Sequence, residues 1–246
     1  MQDSPQFTLI TSTLNSGATL ERCLRSVAGQ AHSSFEHLIA DGASSDDTLA
    51  IVERFSQRYP LRLVCSEPDT GLYQAWNRTL EKASGQWILF LGSDDFLMSS
   101  HILSSVAEAI ELDPTLDAKQ FLYGDTADAG EPDWKLFKPR RWLHHVRGIT
   151  EFPTSVLISS RLFLKGHRFD ESYRICADHK FFAEHELFRH GAYLQIPMIS
   201  FQQGGISSNT NFARMHYLER RRMLGELKCS RPWFSEWYYW LRSRAA

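Results

Sequence analysis

Short apolar runs alternate with amphipathic helical segments along the first third of the chain. The runs cover residues 7–11, 37–40 and 61–65, and each is too short for a typical helix. The segments between them carry apolar residues at helical spacing, namely Leu20, Cys23, Leu24 and Val27 in the first and Leu49, Val52 and Phe55 in the second. This order predicts an α/β fold with a mostly parallel central sheet flanked by helices.

Polar residues mark where these elements begin and end. Asn15-Ser16-Gly17 predicts a turn after the first strand, and Ser44 with Asp47 predicts a capping box ahead of the second helix. A third helix is expected over residues 73–83. It leads through Gly85 into a fourth strand.

Residues 87–97 predict a buried strand that ends in two adjacent carboxylates. Five apolar residues, Trp87 to Leu91, run into Gly92 and then into Ser93-Asp94-Asp95. Such a strand is typical of a parallel sheet covered on both faces, where ligands bind at the carboxyl ends. A divalent cation holding a diphosphate would compensate both charges. The alternative is that one of these three polar residues caps a following helix.

The second half of the chain shows a less regular pattern of apolar and polar residues. A helix face at Leu103, Val106 and Ile110 precedes a strand at residues 121–125. A basic, aromatic and irregular loop is expected over residues 130–150, as a solvated loop or as an acceptor or phosphate contact. The predicted organisation is a first half at about 1–97, a second half at about 98–210, and a helical, aromatic and basic tail at 211–246.

The tail is unusually rich in aromatic residues and arginine. Six aromatic side chains fall within residues 233–240, with arginines on either side. This composition is typical of a segment that lies on a bilayer surface, so residues 231–244 are a candidate for peripheral membrane contact. The alternative is that these aromatic residues pack on the domain or on a second subunit.

Bulk composition narrows the class of protein. The 246 residues are 43% hydrophobic and 23% charged, with a formal net charge of -2, so no basic field indicates nucleic acid as a partner. No apolar run approaches the roughly 20 residues that span a bilayer. The start shows no signal-peptide pattern. The four cysteines are scattered, which favours free thiols and a cytoplasmic location.

Polar residues follow three of the predicted strands. Asn15, Asp41 and Asp69 would meet Asp94 and Asp95 at one edge of the sheet. So many acids suit a nucleotide whose base and ribose donate hydrogen bonds and whose phosphates are carried by a cation. The first strand is not followed by GxGxxG, so a dinucleotide cofactor is disfavoured.

Five motifs in this order resemble those of the family 2 glycosyltransferases, which have the GT-A fold. The motifs are Leu9 to Asn15, Asp41 to Thr48, Glu67 to Tyr73, Ala75 to Asn77 and Gly92 to Asp95. The similarity is to small enzymes of bacterial capsule, colanic acid and O-antigen assembly. It implies that Asp95 binds Mg²⁺ or Mn²⁺ and that Asp41 and Asp69 contact the nucleobase end of the donor. The implied nucleotide-sugar-binding residues are Thr11, Asn15, Asp41, Asp69, Asn77 and Asp94.

Residues 169–178 resemble the family's FDExYxxAxD segment, which opens the helix bearing the catalytic base. Asp178 falls on that position and would take the proton of an acceptor hydroxyl as it attacks the anomeric carbon. One base together with one metal that stabilises the leaving diphosphate implies single displacement with inversion. The alternative is that Asp178 is a helix N-cap or a surface acid. Relatives often carry an acid where this chain has Lys180. Residues 202–209 resemble the family's GG-I-S element, with a glycine-rich turn as the alternative.

The resemblance implies an inverting, metal-dependent glycosyltransferase. It also implies that residues 1–210 form the GT-A domain, with a nucleotide-binding half at about 1–97 and an acceptor half at about 98–210. The expected donor is a UDP-linked sugar, and the expected acceptor is a saccharide or lipid-linked saccharide of the cell surface. Two alternatives are a non-catalytic nucleotide-sugar binding module and a nucleotidyltransferase. The expected location is the cytoplasm, at the inner face of the cytoplasmic membrane if the tail binds lipid.

Overall fold

The computed structural model describes residues 4–128, 136–139, 154–202 and 212–228. Within them the strands are β1 Phe7–Thr13, β2 Phe35–Asp41, β3 Leu61–Ser66, β4 Trp87–Phe90, β5 Phe96–Leu97, β6 Phe121–Asp128, β7 Leu136–Phe137, β8 Val156–Ser159 and β9 Gly191–Phe201. The helices are α1 Leu20–Ala28, α2 Thr48–Ser56, α3 Leu72–Leu80, α4 Ile102–Leu112, α5 Ser160–Leu164, α6 Ala177–Glu184, α7 Leu187–His190 and α8 Ala213–Glu226, with a 3₁₀ turn at Pro114–Ala118.

All the described strands join one sheet in the order β3-β2-β1-β4-β8-β6-β9-β5, with β7 beside β6. The pairs among β1 to β4 are parallel, as the sequence pattern predicts. The second half is mixed, since β8 runs antiparallel to both β4 and β6 while β9 runs parallel to β6. The predicted α/β fold is confirmed, with most of its parallel pairs among β1 to β4.

The central strands are buried on both faces, and their alternate side chains enter two different cores. Leu9 and Leu89 join the core beneath α1, α2 and α4, whereas Ile10 and Ile88 join the core beneath α3 and α6. All four are at most 1% exposed. Period-two alternation between two apolar cores explains why these strands are uninterrupted apolar runs in the sequence.

The C-terminal helix α8 belongs to the second core. Met223 and Leu224 on α8 are buried among the side chains of α3, α5 and α6. A C-terminal helix was predicted, and its presence is confirmed, while the domain boundaries near residues 97 and 210 stay predictions. No helix within the described residues combines the length and apolarity that a bilayer crossing needs.

Three predicted segments lie wholly or mostly outside the described residues. They are the tail at 231–244, the glycine-rich element at 202–209 beyond Gln202, and the loop at 130–150 apart from residues 136–139. In that loop, Leu136–Phe137 form β7 against β6.

Candidate active site at the carboxyl ends of the strands

The loop after β4 places Asp94 and Asp95 at the carboxyl end of the central strand. The chain then enters β5, and α4 begins only at Ile102, so the alternative that these acids cap a helix is wrong. Asp95 is buried, and its Oδ1 accepts a hydrogen bond from the N–H of Gln202 at 3.0 Å. Burial, followed by the charge of Asp94, raises the pKa of Asp95 to about 7. Protein groups alone therefore leave the negative charge of Asp94 and Asp95 poorly compensated.

Gly92 makes room for both carboxylates to fold back over the loop. A Cβ at this position would lie 2.7 Å from Asp95 Oδ2 and 2.9 Å from Asp94 Oδ1. Both distances are shorter than any comfortable carbon–oxygen contact, so a side chain here would displace one acid or the other. The glycine is therefore part of the geometry of the acid pair.

Arg22 on α1 supports the same loop from outside. Its guanidinium donates to the backbone oxygen of Asp94 at 2.8 Å and also to the side chain of Gln202. It lies over the ring of Phe96 at 4.6 Å from the centroid. Gln202 is thus held twice, through its N–H by Asp95 and through its side chain by Arg22. Arg22 belongs to none of the motifs, and nothing in its neighbourhood along the chain indicates this contact.

The prediction that Asp95 binds a metal ion can be compared with the side chains that could act as ligands. The described residues contain no group of three or more His, Cys, Asp or Glu side chains that could hold a metal ion. Asp94 and Asp95 supply two carboxylates. Mg²⁺ usually binds one or two carboxylates and completes its shell with water and substrate phosphates. The pair therefore fits a cation shared with a diphosphate, and it does not fit a metal site built from protein ligands alone.

Asp41 is fully engaged at the end of β2. Its Oδ1 accepts from the hydroxyls of Thr13 at 2.9 Å and Ser44 at 2.5 Å, and its Oδ2 accepts from Ser44 N–H at 2.9 Å and Ser66 Oγ at 2.8 Å. Burial by itself raises the pKa of Asp41, but these hydrogen bonds outweigh it and the net pKa is lowered. The four bonds fill the ordinary acceptor capacity of a carboxylate.

The hydroxyl of Ser44 does not cap α2, because it donates to Asp41 and accepts from the N–H of Asn15 at 2.8 Å. The N-cap residue of α2 is Asp47, and its side chain makes no capping hydrogen bond. The N–H of Thr48 at the start of α2 donates at 3.0 Å, and its hydroxyl at 2.5 Å, to Asp46 Oδ1. The capping-box prediction for Ser44 and Asp47 is therefore wrong.

Thr11 lies inside the sheet, behind the site. It is fully buried, its hydroxyl donates to the oxygen of Leu91 at 2.8 Å, and it contacts His37 Nε2 at 3.0 Å. The other ring nitrogen of His37 contacts Tyr59 Oη at 2.9 Å. Because Thr11 gives its proton to Leu91, it accepts from His37, which in turn accepts from Tyr59. Burial lowers the pKa of His37 to about 3, which keeps the ring neutral.

Asn15 and Asp69 line the outer part of the cavity. Asn15 has a positive φ of 50°, and its Oδ1 accepts from the N–H of Ser45 at 2.9 Å. Asp69 Oδ1 accepts from the N–H of Gly71 at 2.9 Å, which shapes the turn ahead of α3. Gly71 has a φ of 147°, a conformation that favours glycine.

One face of α3 holds the segment that carries Asp178. Asn77 is buried, with its Oδ1 accepting from Phe169 N–H at 3.1 Å and its Nδ2 donating to Phe169 O and Glu171 Oε1, both at 2.9 Å. One turn earlier, Tyr73 Oη lies 2.6 Å from Ile175 O and 2.9 Å from Asp178 Oδ1. Asn77 therefore fixes the beginning of the segment, and Tyr73 fixes its end.

Asp178 is half-buried in the first turn of α6, while the N-cap position belongs to Cys176. The N-cap alternative for Asp178 is therefore wrong. Its Oδ1 accepts from Tyr73 Oη at 2.9 Å and from the N–H of His179 at 2.8 Å. Among the described residues, Oδ2 accepts no hydrogen bond. One oxygen is thus fixed by the protein, and the other is available to a ligand.

A cavity of about 880 Å³ joins these groups. Five of the predicted residues line it, namely Asn15, Asp69, Asp94, Asp95 and Asp178. The structure does not bring Thr11, Asp41 or Asn77 to its wall, and their protein contacts place them behind it. Ser12, which the sequence analysis did not single out, lines the cavity with a buried hydroxyl that has no hydrogen-bond partner among the described residues.

Comparison with known proteins identifies a family for this chain. A family model described as Glycosyl transferase family 2 matches residues 8–165. A PGL/p-HBAD biosynthesis glycosyltransferase of Mycobacterium tuberculosis is 40% identical over 124 residues, which cover 50% of this chain and 47% of that protein. This chain thus spans about half the length of these relatives. The uncharacterized glycosyltransferase YibD of Escherichia coli is 23% identical over 255 residues, covering 92% of this chain and 72% of that protein.

Two solved structures share the fold at low sequence identity. S. aureus TarS 1-349 in complex with UDP-GlcNAc has a TM-score of 0.70 at 20% identity, covering 87% of this chain and 66% of that one. The mannosyltransferase PcManGT from Pyrobaculum calidifontis, in complex with GDP-Man and Mn²⁺, has a TM-score of 0.64 at 16% identity, covering 99% of this chain and 74% of that one. The GT-A-like fold prediction is confirmed by this likeness.

Proposed function

Because the chain belongs to glycosyltransferase family 2, we propose that it transfers a sugar from a UDP-linked donor to a hydroxyl of a saccharide or lipid-linked saccharide, with inversion at the anomeric carbon. The observation that carries the proposal is the single cavity in which the acid pair Asp94 and Asp95 faces the same space as Asp178. A diphosphate site and a base beside one cavity are the two parts that single displacement needs.

Recognition of the donor is assigned to the outer cavity. Asp69 is placed to accept a hydrogen bond from the base or the ribose, Asn15 offers its Nδ2 as a donor because its Oδ1 already accepts from Ser45, and Ser12 offers its unpaired hydroxyl. Asp41 supports Asn15 from behind, because the Ser44 hydroxyl that donates to Asp41 also accepts from the N–H of Asn15. The TarS complexes with UDP and UDP-GlcNAc favour a uridine nucleotide, and the GDP-Man complex of PcManGT is the reason to include GDP-mannose in any screen.

Asp94 and Asp95 would hold the Mg²⁺ or Mn²⁺ that arrives with the donor. When bound, the cation supplies the positive charge that stabilises the departing diphosphate. Arg22 and Gly92 keep the two acids in place, the first by holding the backbone of Asp94 and the second by leaving space for both carboxylates.

Asp178 acts as the general base through its Oδ2. The acceptor hydroxyl donates its proton to this oxygen as the acceptor oxygen bonds to the anomeric carbon and the diphosphate leaves on the opposite face. Tyr73 and the N–H of His179 hold Oδ1 and so orient the carboxylate. The leaving diphosphate needs no proton, so a single carboxylate suffices.

The acceptor is assigned to cell-surface glycan or glycolipid synthesis. The relative that acts in PGL/p-HBAD biosynthesis supports a lipid-linked acceptor. We place the reaction in the cytoplasm, and the aromatic and basic tail at 231–244 would bring the enzyme to the inner face of the cytoplasmic membrane. Nucleic acid is not expected as a partner.

The deciding experiment measures UDP or GDP release with Mn²⁺ from UDP-glucose, UDP-galactose, UDP-N-acetylglucosamine and GDP-mannose, together with calorimetric binding. Asp95→Ala should abolish metal-dependent donor binding. Asp178→Asn should bind donor nearly normally and lose roughly 10²–10⁴-fold in turnover. Asp117→Asn, which alters only an exposed pair with Arg161, is the matched control. Wild-type binding by the Asp95 variant or near-normal turnover by the Asp178 variant would overturn the respective assignment. Triphosphate turnover in place of sugar transfer would indicate a nucleotidyltransferase.

A further inference from the structure

A carboxylate on α8 closes over the start of the helix that carries Asp178. Glu219 Oε1 accepts from the N–H of Arg174 at 2.6 Å, and its Oε2 accepts from the N–H groups of Ile175 at 2.8 Å and Cys176 at 3.1 Å. Three consecutive amides thus converge on one side chain from a distant part of the chain. We propose that Glu219 is a positioning residue for the general base, an inference that rests on the proposed role of Asp178.

The physical basis is the electrostatics of a helix start. The amides around a helix N-terminus lack partners within the helix, and the positive end of the helix dipole faces the same direction. A partly buried carboxylate that accepts three of these amides makes charge-assisted hydrogen bonds, which are the strong ones. Cys176 is the N-cap of α6, and Asp178 follows two residues later. The position of these amides therefore sets the position of the base.

Glu219 holds a part of residues 169–178 that α3 does not hold. Asn77 on α3 holds Phe169 at the beginning of the segment, and Tyr73 on α3 holds Ile175 O and Asp178 Oδ1 at its end. Among the described residues, Glu219 is the side chain that accepts from the amides of residues 174–176.

Contacts other than those of Glu219 also dock α8 onto the domain. Glu226 on the same helix pairs with Lys180 at 2.7 Å and with Arg222 at 2.7 Å, and it accepts from Tyr173 Oη at 2.9 Å. Arg222 also donates to Ser172 Oγ at 2.9 Å. Glu226 therefore stabilises the packing of α8 against α6 without contacting the amides of residues 174–176. A Glu226 variant therefore weakens the packing of α8 without removing an acceptor from these amides, and it serves as the matched control.

The experiment compares Glu219→Ala, Glu219→Gln and Glu226→Gln in the full chain, with Mn²⁺ and the nucleotide sugar that wild type turns over fastest. Glu219→Ala should lower kcat about 10- to 100-fold while KM for the donor stays within twofold, because misplacement of a catalytic group on the scale of 1 Å costs up to about 10²-fold. Glu219→Gln keeps one acceptor oxygen and should recover part of that loss. Glu226→Gln should lower Tm by a similar amount and leave kcat within twofold.

Hydrogen–deuterium exchange provides a readout that does not depend on activity. Exchange of the amides at residues 174–176 should accelerate in Glu219→Ala and stay as in wild type in Glu226→Gln. Unchanged exchange in the Glu219 variant would overturn the inference, as would a kcat loss in Glu226→Gln that equals that of Glu219→Ala at equal Tm. Full turnover by Asp178→Asn would instead refute the base assignment, so the two failures are distinguishable.

Discussion

Tyr73→Phe tests how far the base depends on one hydroxyl. Tyr73 is 2% exposed, and its Oη lies 2.6 Å from Ile175 O and 2.9 Å from Asp178 Oδ1. Burial, and then the charge of Asp178, raises the pKa of Tyr73 well above its ordinary value, so the hydroxyl keeps its proton. That single proton serves one acceptor at a time, either the carboxylate of Asp178 or the carbonyl of Ile175.

The substitution removes the donor and keeps the ring. Phenylalanine retains the contacts with Trp76 and Phe169, whose ring centroids lie 5.3 and 5.9 Å away. Loss of the hydroxyl leaves a buried acceptor without a donor, which costs about 1–3 kcal/mol. For a domain of this size each kcal/mol lowers Tm by about 2–4 °C. If about 1–2 kcal/mol of this free energy is what keeps Asp178 in its productive orientation, kcat should fall about 5- to 30-fold.

The assay measures kcat and KM for nucleotide release beside a thermal melt. We expect the loss to appear in kcat, because the Tyr73 hydroxyl contacts the proposed base Asp178 and not the acid pair proposed to hold the cation. Asn77→Ala is an informative companion, since it loosens Phe169 at the opposite end of the same segment. A Tyr73→Phe enzyme that melts several degrees lower and keeps kcat within twofold would refute the positioning role of the hydroxyl.

Further predictions concern the acid loop, the buried histidine and the tail. Gly92→Ala should abolish Mn²⁺-dependent nucleotide binding, whereas Gly225→Ala, with open space around it, should not; equal binding by both variants in calorimetry would refute the steric argument. Because burial keeps His37 neutral in the folded state, the unfolded state takes up a proton first as the pH falls. The stability that neutral His37 contributes is therefore complete above pH 6.5 and is lost progressively toward pH 3. Urea titration should therefore show a loss of about 2 kcal/mol between pH 6.5 and 5 that His37→Gln lacks; identical slopes would contradict it. In low salt, the full-length protein should pellet with anionic vesicles and a chain lacking residues 231–246 should not, because each basic residue near such a surface contributes about 1 kcal/mol to binding. A full-length protein left in the supernatant would exclude membrane contact.

The sequence predicted those parts of the fold that are determined locally. The strand at residues 87–91 was predictable because two apolar cores require both of its faces to be apolar, and α1 because one stripe faces the sheet. The acid pair was predictable because two adjacent carboxylates after a buried strand are costly to place unless a ligand compensates their charge. The mixed pairing of β8 and β9 was not predicted, since an antiparallel strand inside such a sheet is as apolar as a parallel one.

The contacts that organise the site were not predictable from local pattern. Tyr73 meets Asp178 across 105 residues, and Glu219 meets Arg174 across 45. A tyrosine at the start of one helix and a glutamate within another satisfy ordinary helical patterns, so nothing in their neighbours marks them. Thr11 shows the reverse case, because a residue inside a binding motif has its hydroxyl bonded to Leu91 and His37 within the sheet, which the motif alone does not indicate.

The long-range contact made by Glu219 also determines the order in which parts of the site can form while the chain is being synthesised. Strands β1 to β4 have parallel partners within the first 90 residues, so this part of the sheet can form early. The amide of Arg174 must wait for a carboxylate 45 residues further along, which at ribosomal speed is about 2–9 s later. Under the proposed roles of Asp178 and Glu219, sugar transfer would begin only once α8 has been made and has packed onto α6.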